Sequence, residues 1–164
     1  MKRIVPQIGQ ESVWDYPRPP RLEPCSKQIK IITGGLVLLE STRAFRILET
    51  SHPPSYYVPP EDVKLELLAR GSGSSYCEFK GEAAYYDLKS GVKNSAWFYP
   101  SPTKAYTAIA GYLAFYPSRV VLQDGDGCFV DSERVIPQAG NFYAGWITAD
   151  VVGPFKGEVG TQGW

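Results

Sequence analysis

The chain has 164 residues and a formal net charge of +0, which suits one folded domain and disfavours a nucleic-acid partner. Aromatic residues make up 13%, beside 14 prolines and 16 glycines, a mixture that favours short strands joined by turns. Three cysteines at wide spacing argue against a disulfide framework. No signal peptide or membrane span is recognisable, so we expect no membrane partner and a cytoplasmic protein.

The first predicted elements are an irregular arm and a hairpin. Residues 1–27 form the arm, because five prolines interrupt it. Residues 28–33 and 36–40 are apolar runs that flank Gly34-Gly35, a turn pair that tolerates positive φ at both positions. This pattern predicts a β-hairpin as the start of a β-domain over residues 28–137.

The remaining elements are short. Residues 42–49 are predicted to be a strand that alternates Ala44, Arg46 and Leu48 on one face with Phe45, Ile47 and Glu49 on the other. The predicted elements after it are strands at 56–58, 76–79, 83–88 and 96–99, a helical turn at 61–68, a flexible loop at 71–75, a short helix at 102–111, extended segments at 112–116 and 119–123, and a hairpin of 128–130 with 134–136. Residues 138–164 form a tail rich in glycine and aromatics, which we expect to pack on the domain.

Several kinds of chemistry are disfavoured by spacing. One histidine and no closely spaced cysteine pair argue against a metal site, and no cofactor motif is present. Asp124-Gly-Asp-Gly127 lacks the later ligands of a calcium loop, so a turn is favoured. The loop at 71–75 leads into a strand pattern rather than a helix, which disfavours a phosphate loop. Cys77 and Cys128 lie in apolar runs typical of buried thiols.

A set of aromatic and charged residues remains as the candidate site. Tyr85 shares a strand face with Asp87, and Trp97 shares one with Tyr99. Aromatic walls with a few fixed charges are typical of a small-molecule pocket. The predicted ligand-binding residues are Arg46, Glu49, His52, Tyr57, Lys80, Tyr85, Trp97 and Tyr99. The alternative is that these rings are core and the charges are solvated or paired.

Several of these segments resemble a known family. They are Glu49-Thr-Ser-His-Pro-Pro54, Tyr56-Tyr57-Val-Pro59, Cys77-Glu-Phe-Lys80-Gly81, Ala83 to Tyr86, Ala96-Trp97-Phe-Tyr99-Pro100 and Ala114-Phe115-Tyr116. In this order, over about residues 28–137, the chain resembles the family of domain of unknown function 427, which some catalogues label nucleotidyltransferase-like. The flanks resemble a longer bacterial subgroup of that family.

The resemblance implies a mainly β fold: small antiparallel sheets in a tent-like, Mss-four-like arrangement with one or two short helices. Two features depart from what the resemblance implies. The cysteine pairs that bind zinc in many tent folds are missing. Glu78 and Glu82 lie four residues apart across Gly81, which is not the spacing of magnesium-binding carboxylates on one strand.

Three functions remain open. The first is a binding domain in which an aromatic-lined cleft holds a small molecule. The second is an enzyme acting on a nucleotide or small metabolite, with Glu49, His52 or Lys80 transferring protons. The third is a protein-interaction domain that uses the proline-rich arm or the glycine-rich tail. The sequence leaves homo-oligomerisation open.

Overall fold

Short strands dominate the computed structural model, which describes residues 1–164. In chain order they are β1 Glu11–Ser12, β2 Arg21–Cys25, β3 Ile29–Thr33, β4 Leu36–Ser41, β5 Ala44–Leu48, β6 Ser55–Tyr57, β7 Leu68–Cys77, β8 Gly81–Leu88, β9 Ala96–Phe98, β10 Ala114–Phe115, β11 Gly127–Val130, β12 Glu133–Arg134, β13 Ile136–Pro137, β14 Trp146–Ile147 and β15 Val151–Val152. The helical segments are four short 3-10 turns: Val13–Asp15, Pro60–Asp62, Leu65–Leu67 and Lys104–Ile109. The predicted mainly β fold of small antiparallel sheets is confirmed.

Three antiparallel sheets form the body, with strand orders β12-β11-β3-β4, β2-β5-β6 and β10-β9-β8-β7. Two further pairs are β13-β14 and β1-β15, of which the second is parallel. The β3–β4 hairpin turns at Gly34 and Gly35, whose φ angles of 58° and 76° explain why two glycines stand there. No helix is both long and apolar enough to cross a membrane.

The sheets that contain β6 and β10 meet at a seam between Val58 and Leu113. Each residue donates its N–H to the carbonyl of the other, at N···O distances of 2.9 and 2.8 Å. This bridge joins the end of β6 to the start of β10, so the two sheets continue into one another. The seam fixes the position of β5 and β6 relative to β8 and β9, the four strands that carry the candidate site.

The core is divided into clusters. The largest contains 18 buried residues, among them Ile29, Leu38, Phe115 and Trp146. The Trp146 indole N–H donates to the Phe115 carbonyl at 3.1 Å, which fixes the tail against the body. A second cluster of 7 buried residues includes Tyr57 and Tyr99 and lies beside the candidate site.

The N-terminal arm is more regular than predicted. Residues 21–25 form β2, which pairs along its whole length with β5. Pro24 is accommodated because β2 is an edge strand: no neighbouring strand lies on its outer side, so no hydrogen bond is lost there. Further upstream β1 pairs with β15, and the Trp14 indole donates to the Pro154 carbonyl at 2.9 Å. The arm therefore packs on the tail of its own chain.

Two other predictions are wrong. Residues 71–75, predicted to be a flexible loop, lie within β7, because an edge strand with a bulge between Arg70 and Ser74 tolerates glycine and serine. Residues 119–123, predicted to be extended, form no strand. The N–H groups of Leu122 and Gln123 donate instead to the buried carboxylate of Asp126, which also accepts from the N–H groups of the Gly34-Gly35 turn.

Candidate functional site

A cleft of about 320 Å³ is lined by side chains from β5, β6, β8 and β9. Alternation along the strands supplies the lining: Ser55 and Tyr57 project from one face of β6, and Tyr85 on β8 pairs directly with Trp97 on β9. The cleft brings together seven of the predicted residues: Glu49, His52, Tyr57, Lys80, Tyr85, Trp97 and Tyr99.

Hydrogen bonds fix the aromatic rings of the cleft. The Trp97 indole N–H donates to the Tyr57 hydroxyl at 3.1 Å, and the Tyr85 hydroxyl lies 2.6 Å from Ser75 Oγ. The rings of Trp97 and Tyr116 pack edge to face with centroids 5.0 Å apart. Burial raises the pKa of Tyr57 and of Tyr99, so both phenols stay protonated at neutral pH. The walls are therefore rigid and uncharged.

Lys80 is a charged side chain of the cleft that has no counter-ion within the chain. It lies in the turn between β7 and β8, which Thr103 holds by donating its N–H to the Lys80 carbonyl and its hydroxyl to the Phe79 carbonyl, at 3.0 and 2.6 Å. The residue is only 9% exposed, and its Nζ lies 5.9 Å from the centroid of the Tyr99 ring. Nζ forms neither an ion pair nor a hydrogen bond within the chain. Because every fully buried side-chain nitrogen and oxygen is hydrogen bonded, Nζ must reach solvent.

Glu49 and His52 form a second polar group. Glu49 Oε2 lies 3.3 Å from Arg18 Nε and 3.9 Å from His52 Nδ1. The Thr50 carbonyl, which can only accept, lies 2.9 Å from His52 Nδ1, so this nitrogen carries the proton of the neutral ring. Burial lowers the pKa of His52 below its ordinary value, which favours that neutral form. Nε2 is then an unpaired acceptor.

Arg46 does not line the cleft, contrary to the prediction. Strand alternation turns it to the face of β5 opposite Ile47, where its guanidinium binds Glu23 and lies 2.8 Å from Glu11 Oε1. Burial opposes the charge of Arg46, but the hydrogen bonds to the two glutamates outweigh it and raise its pKa further. Arg46 therefore ties the N-terminal arm to β2 and β5.

The tail supplies a wall that the sequence did not reveal. Phe142, Tyr143, Ala144 and Gly145 line the cleft together with Gln138. The Gln138 amide donates from Nε2 to the Lys156 carbonyl at 2.7 Å and accepts the Gly145 N–H at Oε1 at 3.1 Å. These bonds close the loop 138–145 at its base. Phe142, at its tip, is 88% exposed. The only signal in the sequence was the aromatic content of the tail.

The side chains of the cleft differ in the chemistry that they can offer. The structure contains no group of three or more His, Cys, Asp or Glu side chains arranged to hold a metal ion. Glu78 and Glu82 are both exposed and lie outside the cleft. The cleft offers the ammonium of Lys80, the carboxylate of Glu49, the imidazole of His52 and several aromatic faces.

Fold and site together define a mainly β protein with a small, aromatic-lined cleft. The chain belongs to the family described as Domain of unknown function (DUF427), whose model matches residues 21–126. The tail that walls the cleft lies beyond the matched residues. No curated protein matches the chain.

Proposed function

We propose that the protein binds a small molecule in the aromatic-lined cleft. The observation that carries this proposal is the convergence of Tyr57, Tyr85, Trp97 and Tyr99 on one open cavity, in which hydrogen bonds fix the first three rings. Preformed, mostly apolar clefts with a few polar groups are typical of ligand sites. A volume of about 320 Å³ is at the lower end of the range for such sites.

The proposal is tested by asking whether a ligand depends on the cavity. Native mass spectrometry of the protein purified from its own host looks for a co-purifying molecule, and a thermal-shift screen against metabolites looks for others. A ligand at one hundred times its Kd stabilises the folded state by about 2.7 kcal/mol.

Two variants make this test specific. Ala144→Trp fills the cleft from a loop, whereas Ala149→Trp adds the same side chain at an exposed tail position outside it. Ala144→Trp is expected to abolish the shift given by each ligand, and Ala149→Trp to preserve it. Ligands that stabilise Ala144→Trp as much as the wild type would contradict the proposal.

A second candidate is an enzyme that transfers a proton on the bound metabolite. The unpaired Nε2 of His52 favours it, because a neutral imidazole acceptor in the same cleft as the Lys80 ammonium combines a base with a group that stabilises negative charge. The test is deuterium incorporation into a bound ligand in D₂O, followed by NMR. Exchange that His52→Gln abolishes, while ligand affinity is kept, would support catalysis. Exchange that is unchanged in His52→Gln would exclude it.

The protein-interaction hypothesis receives less support. The proline-rich arm is engaged with its own chain: the Tyr106 hydroxyl donates to the Pro20 carbonyl at 2.6 Å, and the Thr50 hydroxyl to the Tyr16 carbonyl at 2.6 Å. An arm held in this way offers less free backbone and fewer free rings to a partner.

A further inference from the structure

Lys80 is a cation without a counter-ion in its own chain. Most of its side chain is covered, but Nζ reaches the solvent of the cleft, and no carboxylate lies within 4.0 Å of it. Arg46, the other well-covered cation beside the sheets, binds two glutamates. Because this ammonium opens to the cleft and is not neutralised within the chain, it is free to pair with an anionic group of a ligand, whereas Arg46 is already neutralised.

The other charges around the cleft do not compensate Lys80. Glu49 is the only carboxylate in the lining, and it is engaged by Arg18 at 3.3 Å. Two more cations lie against lining rings: the Arg119 guanidinium is 3.8 Å from the centroid of Tyr116, and Lys156 Nζ is 6.0 Å from that of Tyr143. Three rings of the cleft therefore have a cation at one face. Cations therefore outnumber carboxylates around the cleft, which favours an anionic ligand.

The form of the site matches a carboxylate better than a phosphate. A phosphate group is usually met by an arginine fork or by a cradle of backbone N–H groups at a helix N-terminus. The glycine- and serine-rich segment near the cleft is part of strand β7 and forms no such cradle. One ammonium, without an arginine in the lining, suits a single negative charge.

We propose that the ligand is a small organic acid whose carboxylate pairs with Lys80 and whose planar apolar body packs against the half-buried, paired rings of Trp97 and Tyr85; this inference rests on the proposed binding function. The Tyr85 hydroxyl and His52 Nε2 are then available to the polar substituents of that body. The cleft volume of about 320 Å³ is large enough for a ligand of this size.

The experiment compares acids with their uncharged amides. Three matched pairs serve as probes: benzoate with benzamide, phenylacetate with phenylacetamide, and indole-3-acetate with indole-3-acetamide. Binding to the wild type is measured at pH 7 by saturation-transfer NMR and titration. Because truncating one side of a covered ion pair weakens binding strongly, an acid is expected to bind at least about tenfold more tightly than its amide. Lys80→Met should remove that difference.

The control is Lys89→Met, which removes an exposed lysine of the strand end outside the cleft and should leave the acid preference unchanged. If Lys80→Met does not fold, the comparison of acid with amide in the wild type still tests whether the cleft prefers an acid. Equal affinity for acids and amides would overturn the inference and leave the binding function intact. An acid preference that persists in Lys80→Met would overturn the assignment to Lys80. Failure of every probe and of the metabolite screen would contradict the binding function itself.

Discussion

Asp126→Asn is expected to destabilise the fold by about 2–4 kcal/mol. Oδ2 accepts the N–H groups of Gly34, Leu122 and Gln123 at 2.7, 2.9 and 3.1 Å, and Oδ1 accepts that of Gly35 at 3.0 Å. Asparagine keeps only one of the two oxygens. At least one of these N–H groups then faces the asparagine amide instead of an acceptor, at a cost of about 1–3 kcal/mol, and the other bonds lose the reinforcement of a full charge.

The assays are urea unfolding and thermal unfolding at pH 7, with Asp124→Asn as the matched control. Asp124 belongs to the same Asp-Gly-Asp-Gly turn, but it is exposed and accepts no hydrogen bond. Since each kcal/mol corresponds to roughly 2–4 °C in a domain of this size, Tm should fall by roughly 4–16 °C for Asp126→Asn and hardly change for Asp124→Asn. Two variants within about 0.5 kcal/mol of each other would refute the role of Asp126.

Acid provides an independent check. Burial opposes ionisation of Asp126, but the four N–H donors outweigh it and hold its pKa below the ordinary value of 3.8. The stabilisation is therefore fully present above the pKa of the unfolded state, about 3.9, and is lost as pH falls through the lower folded value. The difference in unfolding free energy between the wild type and Asp126→Asn should become smaller as the pH falls below about 3.9, and it should stay constant at higher pH.

Three further predictions concern His52, Cys128 and Arg46. His52 is the only histidine, so its NMR titration is unambiguous, and its midpoint should lie below pH 6.5 because burial lowers its pKa. The contribution of His52 to the stability of the wild type should decline as the pH falls below 6.5, and His52→Gln should lack this decline. A midpoint above pH 6.5 would contradict the burial argument. Cys128 is 1% exposed and burial raises its pKa, so the native protein should present at most two reactive thiols to a disulfide reagent. Labelling of Cys128 in peptide maps of the native protein would show that its thiol is not buried in the core. Arg46→Met leaves Glu11 without its cation and leaves Glu23 with only Arg21, at 3.6 Å, so it should cost about 1–3 kcal/mol in urea unfolding while ligand affinity is unchanged. A folded Arg46→Met variant that no longer binds the ligand would show that Arg46 belongs to the site.

Local sequence patterns predicted much of the fold. Gly34-Gly35 identified a hairpin because two positive φ angles are needed there. Strand alternation placed Trp97 and Tyr99 on one face, and the sheet then set Tyr85 opposite Trp97. Composition was a poorer guide for residues 71–75, because a glycine-rich edge strand and a loop have the same residue preferences.

The site was harder to predict, since it depends on contacts between distant segments. Alternation had already placed Arg46 and Glu49 on opposite faces of one strand, so both could not face the same cleft. Gln138 and Phe142 reach the cleft only because the tail returns to the body through Trp146. No local pattern shows which far-off strand a tail will meet. Residues of this kind can be found only from the assembled structure.

The loop 138–145 has a consequence for the rates of ligand exchange. Its base is fastened by Gln138 and Gly145, while its tip carries Phe142 at the edge of the cleft with almost no contact to the body. Displacing the tip breaks little packing and one exposed hydrogen bond, from Arg119 to the Asn141 carbonyl at 2.9 Å, whereas displacing the base breaks both hydrogen bonds of the Gln138 amide. A substitution at Phe142 should change the association rate and the dissociation rate of the ligand by a similar factor and leave Kd nearly unchanged. A substitution at Gln138 should shorten the residence time of the bound molecule, because it loosens the wall itself.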